Sequence, residues 1–158
     1  MEQYRRILAA IDFSGYTIRV ATHAVTLAKA LNAELTLVNV INQKEIDIIY
    51  TSLNRMQKKD FHRVSVHECV EQLEEERSAE FEKLKEKVDF SGVNFSFLIK
   101  TGVPYKEILD VIKKEKADMA VLGVKGRGEL ADVIVGSTAL KLFRRCPVPL
   151  ITVREKGK

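Results

Sequence analysis

The chain has 158 residues, which fits one domain with room for a core. Its composition is 46% hydrophobic and 30% charged, and the net charge is +4 from 26 basic against 22 acidic side chains. The basic residues are scattered (Lys58-Lys59, Lys113-Lys114, Arg144-Arg145), so a nucleic-acid surface is not expected. There is no run of about 18 apolar residues for a membrane span, and Met1 to Arg6 lacks a signal-peptide profile. Cys69 and Cys146 are too far apart to suggest a disulfide framework, so a reduced, cytoplasmic setting is the expectation.

Arg6-Ile7-Leu8-Ala9-Ala10-Ile11 is a continuous apolar run, as expected of a central parallel strand, and it ends in Asp12. Asp12-Phe13-Ser14-Gly15 then turns, with Ser14 as the expected N-cap of the next helix. From Thr17 to Leu31, Val20, Ala24, Leu27, Ala28 and Leu31 mark one apolar helical face, and Asn32 can close that helix in the left-handed conformation. Glu34 to Ile41 reads as a second strand. The resulting βαβ unit places the loops after Ile11 and Val40 on one rim, where open α/β sheets bind ligands.

Ile46, Ile49, Leu53 and Met56 predict an amphipathic helix over 45–58, followed by a connector over 59–63. A longer helix is predicted from Val66 to Val88, with Val66, Val70, Leu73, Phe81, Leu84 and Val88 on its apolar stripe. Its charged residues, Glu74-Glu75-Glu76-Arg77 among them, read as a solvated face. Val93, Phe95, Phe97 and Ile99 alternate with Asn94, Ser96, Leu98 and Lys100 and predict an edge strand. Gly102-Val103-Pro104 opens a helix whose inward residues are expected to be Ile108, Leu109 and Ile112.

Asp118 to Leu122 is a further buried strand, and Ala139 to Arg145 a further helix. Between them lies Gly123-x2-Gly126-x9-Gly136-Ser137. Strand, glycine-bearing loop and helix in that order build an anion site, because amide N–H groups point out of the helix N-terminus. The spacing is neither the Walker lysine loop nor the Rossmann fingerprint, and taken alone the glycines also fit a simple strand-to-helix turn. Pro147 to Val153 is a last strand, with Pro149 confining it to an edge or to a start at the proline. The uncharged edge Leu150-Ile151-Thr152-Val153, with Val148 before it, predicts pairing with a second copy of the chain.

These segments together resemble the universal stress protein family along nearly the whole chain. The resemblance is carried by Ile7 to Ser14, by Gly102-Val103-Pro104, by Ala117 to Gly123 and by the full glycine spacing, which is similar to that of the ATP-binding branch. It implies a single domain over 1–158 with a variable helical segment at about 43–66. The implied fold is α/β, an open doubly wound five-stranded parallel sheet of order 3-2-1-4-5, adenine nucleotide alpha hydrolase-like. It also implies ATP binding on the carboxyl rim, and with the predicted edge pairing the expectation is a homodimeric, nucleotide-dependent stress-response or regulatory switch. By position, Ala10, Ile11 and Asp12 would line the adenosine pocket, with Asp12 facing the adenosine or a phosphate-bound Mg²⁺. Val40 would meet adenine through its backbone, Leu122 and Gly123 would border the ribose, and Gly126, Gly136, Ser137 and Thr138 would hold the phosphates. Lys125 and Arg127 could add positive charge. Ile11 departs from relatives with a small polar residue there.

Other chemistry has little support. His23, His62 and His67 form no metal-binding pair, and His67 with Cys69 does not make a zinc site. No residue is an evident general base, so at most slow ATP hydrolysis is expected. The alternatives are a protein-interaction module of the same fold that uses the helix over 45–58, and an adenylating enzyme, for which no pyrophosphate-handling element is found.

Overall fold

The computed structural model describes residues 3–56, 64–124 and 135–154. Ten elements follow in chain order: β1 (Arg6–Ala10), α1 (Thr17–Leu31), β2 (Glu34–Asn42), α2 (Gln43–Met56), α3 (Val66–Lys87), β3 (Phe95–Gly102), α4 (Pro104–Lys114), β4 (Met119–Gly123), α5 (Ser137–Arg145) and β5 (Leu150–Val153). The strands form one sheet of order β3-β2-β1-β4-β5, and every pairing is parallel. The expected sheet order is the observed one, with β3 and β5 at the two edges.

Side chains alternate across the sheet, so each strand feeds two cores. Ile7, Ala9 and Ile11 of the β1 segment join Leu35, Leu37 and Val121 under Val20, Ala24 and Ala28 of α1 and Phe81 and Leu84 of α3. Leu8, Val38, Ala120 and Leu122 face the opposite way, onto Ile108, Val111 and Ile112 of α4 and Ala139 and Leu142 of α5. A third, smaller cluster of Ile41, Ile46, Cys69 and Leu73 fastens α2 and α3 to the end of β2. Burial on both faces explains why β1 and β4 read as unbroken apolar runs.

Several local expectations are corrected. Ser14 does not cap α1: Tyr16 holds that position without a side-chain bond. Asp12 Oδ1 accepts the Ser14 amide at 3.0 Å, and Phe13 adopts a positive φ of 56°, so Ser14 is drawn into the turn ahead of the helix. α2 begins at Gln43 rather than 45, because the Asn42 carboxamide oxygen accepts the Lys44 amide at 3.1 Å, as an N-cap does. Val66 is exposed, since it lies in the first turn beside the Ser65–Glu68 capping box. On α4 the buried residues are Ile108, Val111 and Ile112, whereas Leu109 is only partly buried. Arg77 lies in the buried stripe of α3 and not on its solvated face. Asn32 closes α1 in the left-handed conformation, as expected. The connector over 59–63 and His62 lie outside the described residues.

Candidate functional site

The chain leaves β1 in one direction and β4 in the other, so α1 and α5 start from neighbouring strand ends on opposite faces of the sheet. Such a switch point leaves a crevice at the carboxyl rim. Three short segments shape it. Ile11 donates its amide to the Val38 carbonyl at 2.9 Å, which ties the end of β1 to β2. Asp12 follows, with Oδ1 also 3.5 Å from the Thr17 hydroxyl. Val124 donates to the Val153 carbonyl at 3.1 Å, and the Gly136 amide returns to the Val124 carbonyl at 2.7 Å. That last bond brings the N-terminus of α5 to the carboxyl end of β4.

Gly136 is the N-cap of α5 and has no side chain to engage the first-turn amides. The helix dipole at this end favours an anion. Ser137 and Thr138 add hydroxyl groups beside it.

A cavity of about 600 Å³ opens here. It is lined by Ala10, Ile11 and Asp12 from the β1 end, Val40 from β2, Leu122 and Gly123 from β4, and Gly136, Ser137 and Thr138 at the start of α5. Every described residue of the predicted ligand set is therefore brought together. Lys125, Gly126 and Arg127 lie outside the described residues. The proposed edge residues stand elsewhere: Val148 and Leu150 pack toward α4 and α5, Ile151 toward the α1 face, Val153 is buried, and Thr152 is exposed.

The opposite wall of the cavity was not anticipated. Asn39, Asn42, Glu45, Ile48, Ile49 and Arg77 line it at the β2 end. Arg77 is only 5% exposed, and its Nη2 donates to Glu45 Oε1 at 2.5 Å, across from α3 to α2. Asn39 is 2% exposed. Its Nδ2 donates to the Ile11 carbonyl at 2.9 Å, while its Oδ1 has no partner among the described residues. Both residues carry a sequence signal. Arg77 stands four residues after Leu73 and four before Phe81, in phase with the apolar stripe. Asn39 interrupts the apolar run Leu37-Val38-Asn39-Val40-Ile41. A polar residue in an apolar register is more informative than one on a polar face.

An open parallel sheet with a cavity at its switch point defines an α/β protein of the kind that takes ligands at the carboxyl rim. The family model described as the universal stress protein family matches residues 3–154, and the chain belongs to that family. It is 27% identical over 158 residues to universal stress protein MJ0577 of Methanocaldococcus jannaschii, covering 98% of this chain and 97% of the relative. It is 28% identical over 151 residues to universal stress protein YxiE of Bacillus subtilis, covering 96% and 99%. The solved structure of MJ0577 superposes with a TM-score of 0.80 at 22% sequence identity, covering 99% of this chain and all of that one. The fold is also shared with a universal stress protein solved in complex with cAMP (TM-score 0.62, 18% identity, covering 98% of this chain and 100% of that one). Another relative in fold is the universal stress protein from Archaeoglobus fulgidus in complex with dAMP (TM-score 0.60, 16% identity, covering 97% and 100%).

Proposed function

We propose that the chain binds ATP at the carboxyl rim and works as a cytoplasmic, homodimeric, nucleotide-dependent switch in a stress-response or regulatory circuit. One observation carries this reading: residues taken from separate stretches of sequence for a nucleotide converge on a single cavity. Its volume suits a nucleotide-sized ligand, and its lining combines apolar strand ends with a few polar groups. The relatives in fold solved with cAMP and dAMP favour an adenine nucleotide.

In this reading Ala10, Ile11 and Asp12 line the adenosine, and the Val40 backbone meets the base. Leu122 and Gly123 border the ribose. Gly136, Ser137 and Thr138, together with Gly126, hold the phosphates, and Lys125 and Arg127 add charge. Mg²⁺ fits as an ion held by the phosphates and water with Asp12 nearby, since Mg²⁺ usually keeps waters and takes few carboxylates. No group of three His, Cys, Asp or Glu side chains among the described residues could hold a metal by itself. No described residue is an evident general base, since Asp12 bonds the Ser14 amide and Glu45 pairs with Arg77, so at most slow ATP hydrolysis is expected. The dimer forms through the backbone edge of β5, because Val153 and the partly buried Leu150 and Ile151 are engaged in the core.

The test is to heat-denature purified protein and identify the released nucleotide by mass spectrometry, followed by calorimetry with Mg-ATP. ATP near one equivalent, or binding at millimolar Mg-ATP or below, supports the reading. An empty extract and a flat titration reject it. Sedimentation with and without ATP reads the dimer, expected at twice the chain mass. A second reading, a ligand-free interaction module, draws on α2, where Ile48 is 66% exposed and Tyr50 is also exposed. Under that reading Gly136→Val leaves partner binding unchanged.

A further inference from the structure

We infer that Arg77 is a ligand-contacting residue of this cavity, donating from its guanidinium to acceptor atoms of an uncharged heteroaromatic head group at the β2 end. The inference rests on the nucleotide reading and deepens it, because it assigns recognition of the base to a side chain outside the glycine motif.

Packing alone does not call for an arginine here. Leu73 and Phe81 stand about one helical turn away on either side in the same buried stripe, so an apolar residue would fill the position. A buried ion pair is weak evidence for stability, since desolvation offsets much of the attraction between the charges. Yet Arg77 lines the cavity with its side chain almost fully covered. A guanidinium carries five N–H donors, and Glu45 takes one. Among the described residues no other hydrogen-bond acceptor engages that guanidinium.

Charge decides which acceptor suits it. Glu45, whose side chain is 33% exposed, neutralises Arg77, so the pair presents donors without net charge. That favours ring nitrogens of a neutral base over a second anion. The anionic end of a ligand is served elsewhere, at the N-terminus of α5. Sheet order separates the two ends: β2 and β4 flank β1, two strand spacings or about 10 Å apart. Two further features of the β2 end agree. Ile48 and Ile49 present apolar surface to the cavity, suited to the face of a ring. Asn39 also lines this end, and its Oδ1, buried and without a partner among the described residues, offers an acceptor suited to an exocyclic amine on the same base.

The experiment compares Mg-ATP with inorganic tripolyphosphate, which has no base, by calorimetry on the full chain and two variants. The wild type should bind ATP at least about tenfold more tightly than tripolyphosphate. Arg77→Met, which suits the apolar stripe, should lose about tenfold for ATP, the size of one charge-assisted hydrogen bond, and leave tripolyphosphate within about twofold. Arg77→Lys keeps the charge beside Glu45 but not the planar fork, and should lose about threefold or more for ATP alone. If Arg77→Met does not fold, Arg77→Lys decides on the same ratio. Unchanged ATP affinity in the folded variants, or equal losses for both ligands, overturns the inference. So does a wild type that binds the two ligands equally, which leaves a phosphate site and the broader reading standing. A wild type that binds neither ligand rejects the nucleotide reading, and this inference falls with it.

Discussion

The two walls of the cavity are built from different materials. The β4–α5 wall is mostly backbone: the end of a buried strand, the Gly136 N-cap and a helix N-terminus. The α2–α3 wall is side chains, the Arg77–Glu45 pair with Ile48 and Ile49, joined by Asn39 of β2. The first is tied to the sheet by the Val124–Val153 and Gly136–Val124 backbone bonds. The second depends on two helices that meet each other and β2 through a small cluster around Ile46, Cys69 and Leu73. A ligand seated between them would meet mostly backbone groups on one side and side chains on the other.

The largest effect is expected on the β4–α5 wall. Gly136→Val puts a branched side chain at the cavity edge and should weaken Mg-ATP binding by roughly a hundredfold or more, about 3 kcal/mol. Far-UV circular dichroism should stay unchanged. A folded variant that keeps its affinity would mean that the ligand does not sit against α5. On the α2–α3 wall, Leu73→Ala removes one of the buried side chains that join α2 to α3 and should lower global stability by about 2–5 kcal/mol in denaturant titration. Its ATP affinity should fall less than that of the Gly136 variant. The reverse order of the two affinities would break the comparison.

The legibility of the sequence follows the same division. The sheet order and the helices could be read, and the described residues of the predicted set line one cavity, because apolar periodicity and glycine spacing both report on backbone. The α2–α3 wall could not, for a physical reason. Arg77 follows three glutamates, and a run of charges usually marks a solvated face. Only its phase with Leu73 and Phe81 places it inside. Asn39 was hidden inside a strand whose apolar neighbours dominated the pattern. Ser14 failed as a cap for a related reason. The Asp12 side chain takes the Ser14 amide, and which of two neighbouring polar residues wins a turn depends on geometry that composition does not carry.

Two smaller effects sharpen the picture. Ser65→Ala removes the capping box at the start of α3 and should cost about 1 kcal/mol, with faster amide exchange in the first turn of that helix and no change on the α5 side. Asp89 lies away from both walls and serves as a control. The Ser91 hydroxyl and amide, together with Lys29, hold its carboxyl down at about 2. A depressed folded-state pKa gives stability that is present above the ordinary carboxylate value and is lost as pH falls toward 2. Asp89→Asn should therefore flatten a small part of the acid limb between about pH 4 and pH 2 in thermal melts. It should leave ATP binding untouched.

The central claim is that both walls face one ligand. It is tested most directly by titrating isotope-labelled protein with Mg-ATP and following backbone amides by NMR. The account predicts that the amides of Gly136, Ser137 and Thr138 shift together with those of Asn39 and Val40, along one binding curve. Shifts confined to either group, or none at saturating nucleotide, would contradict it.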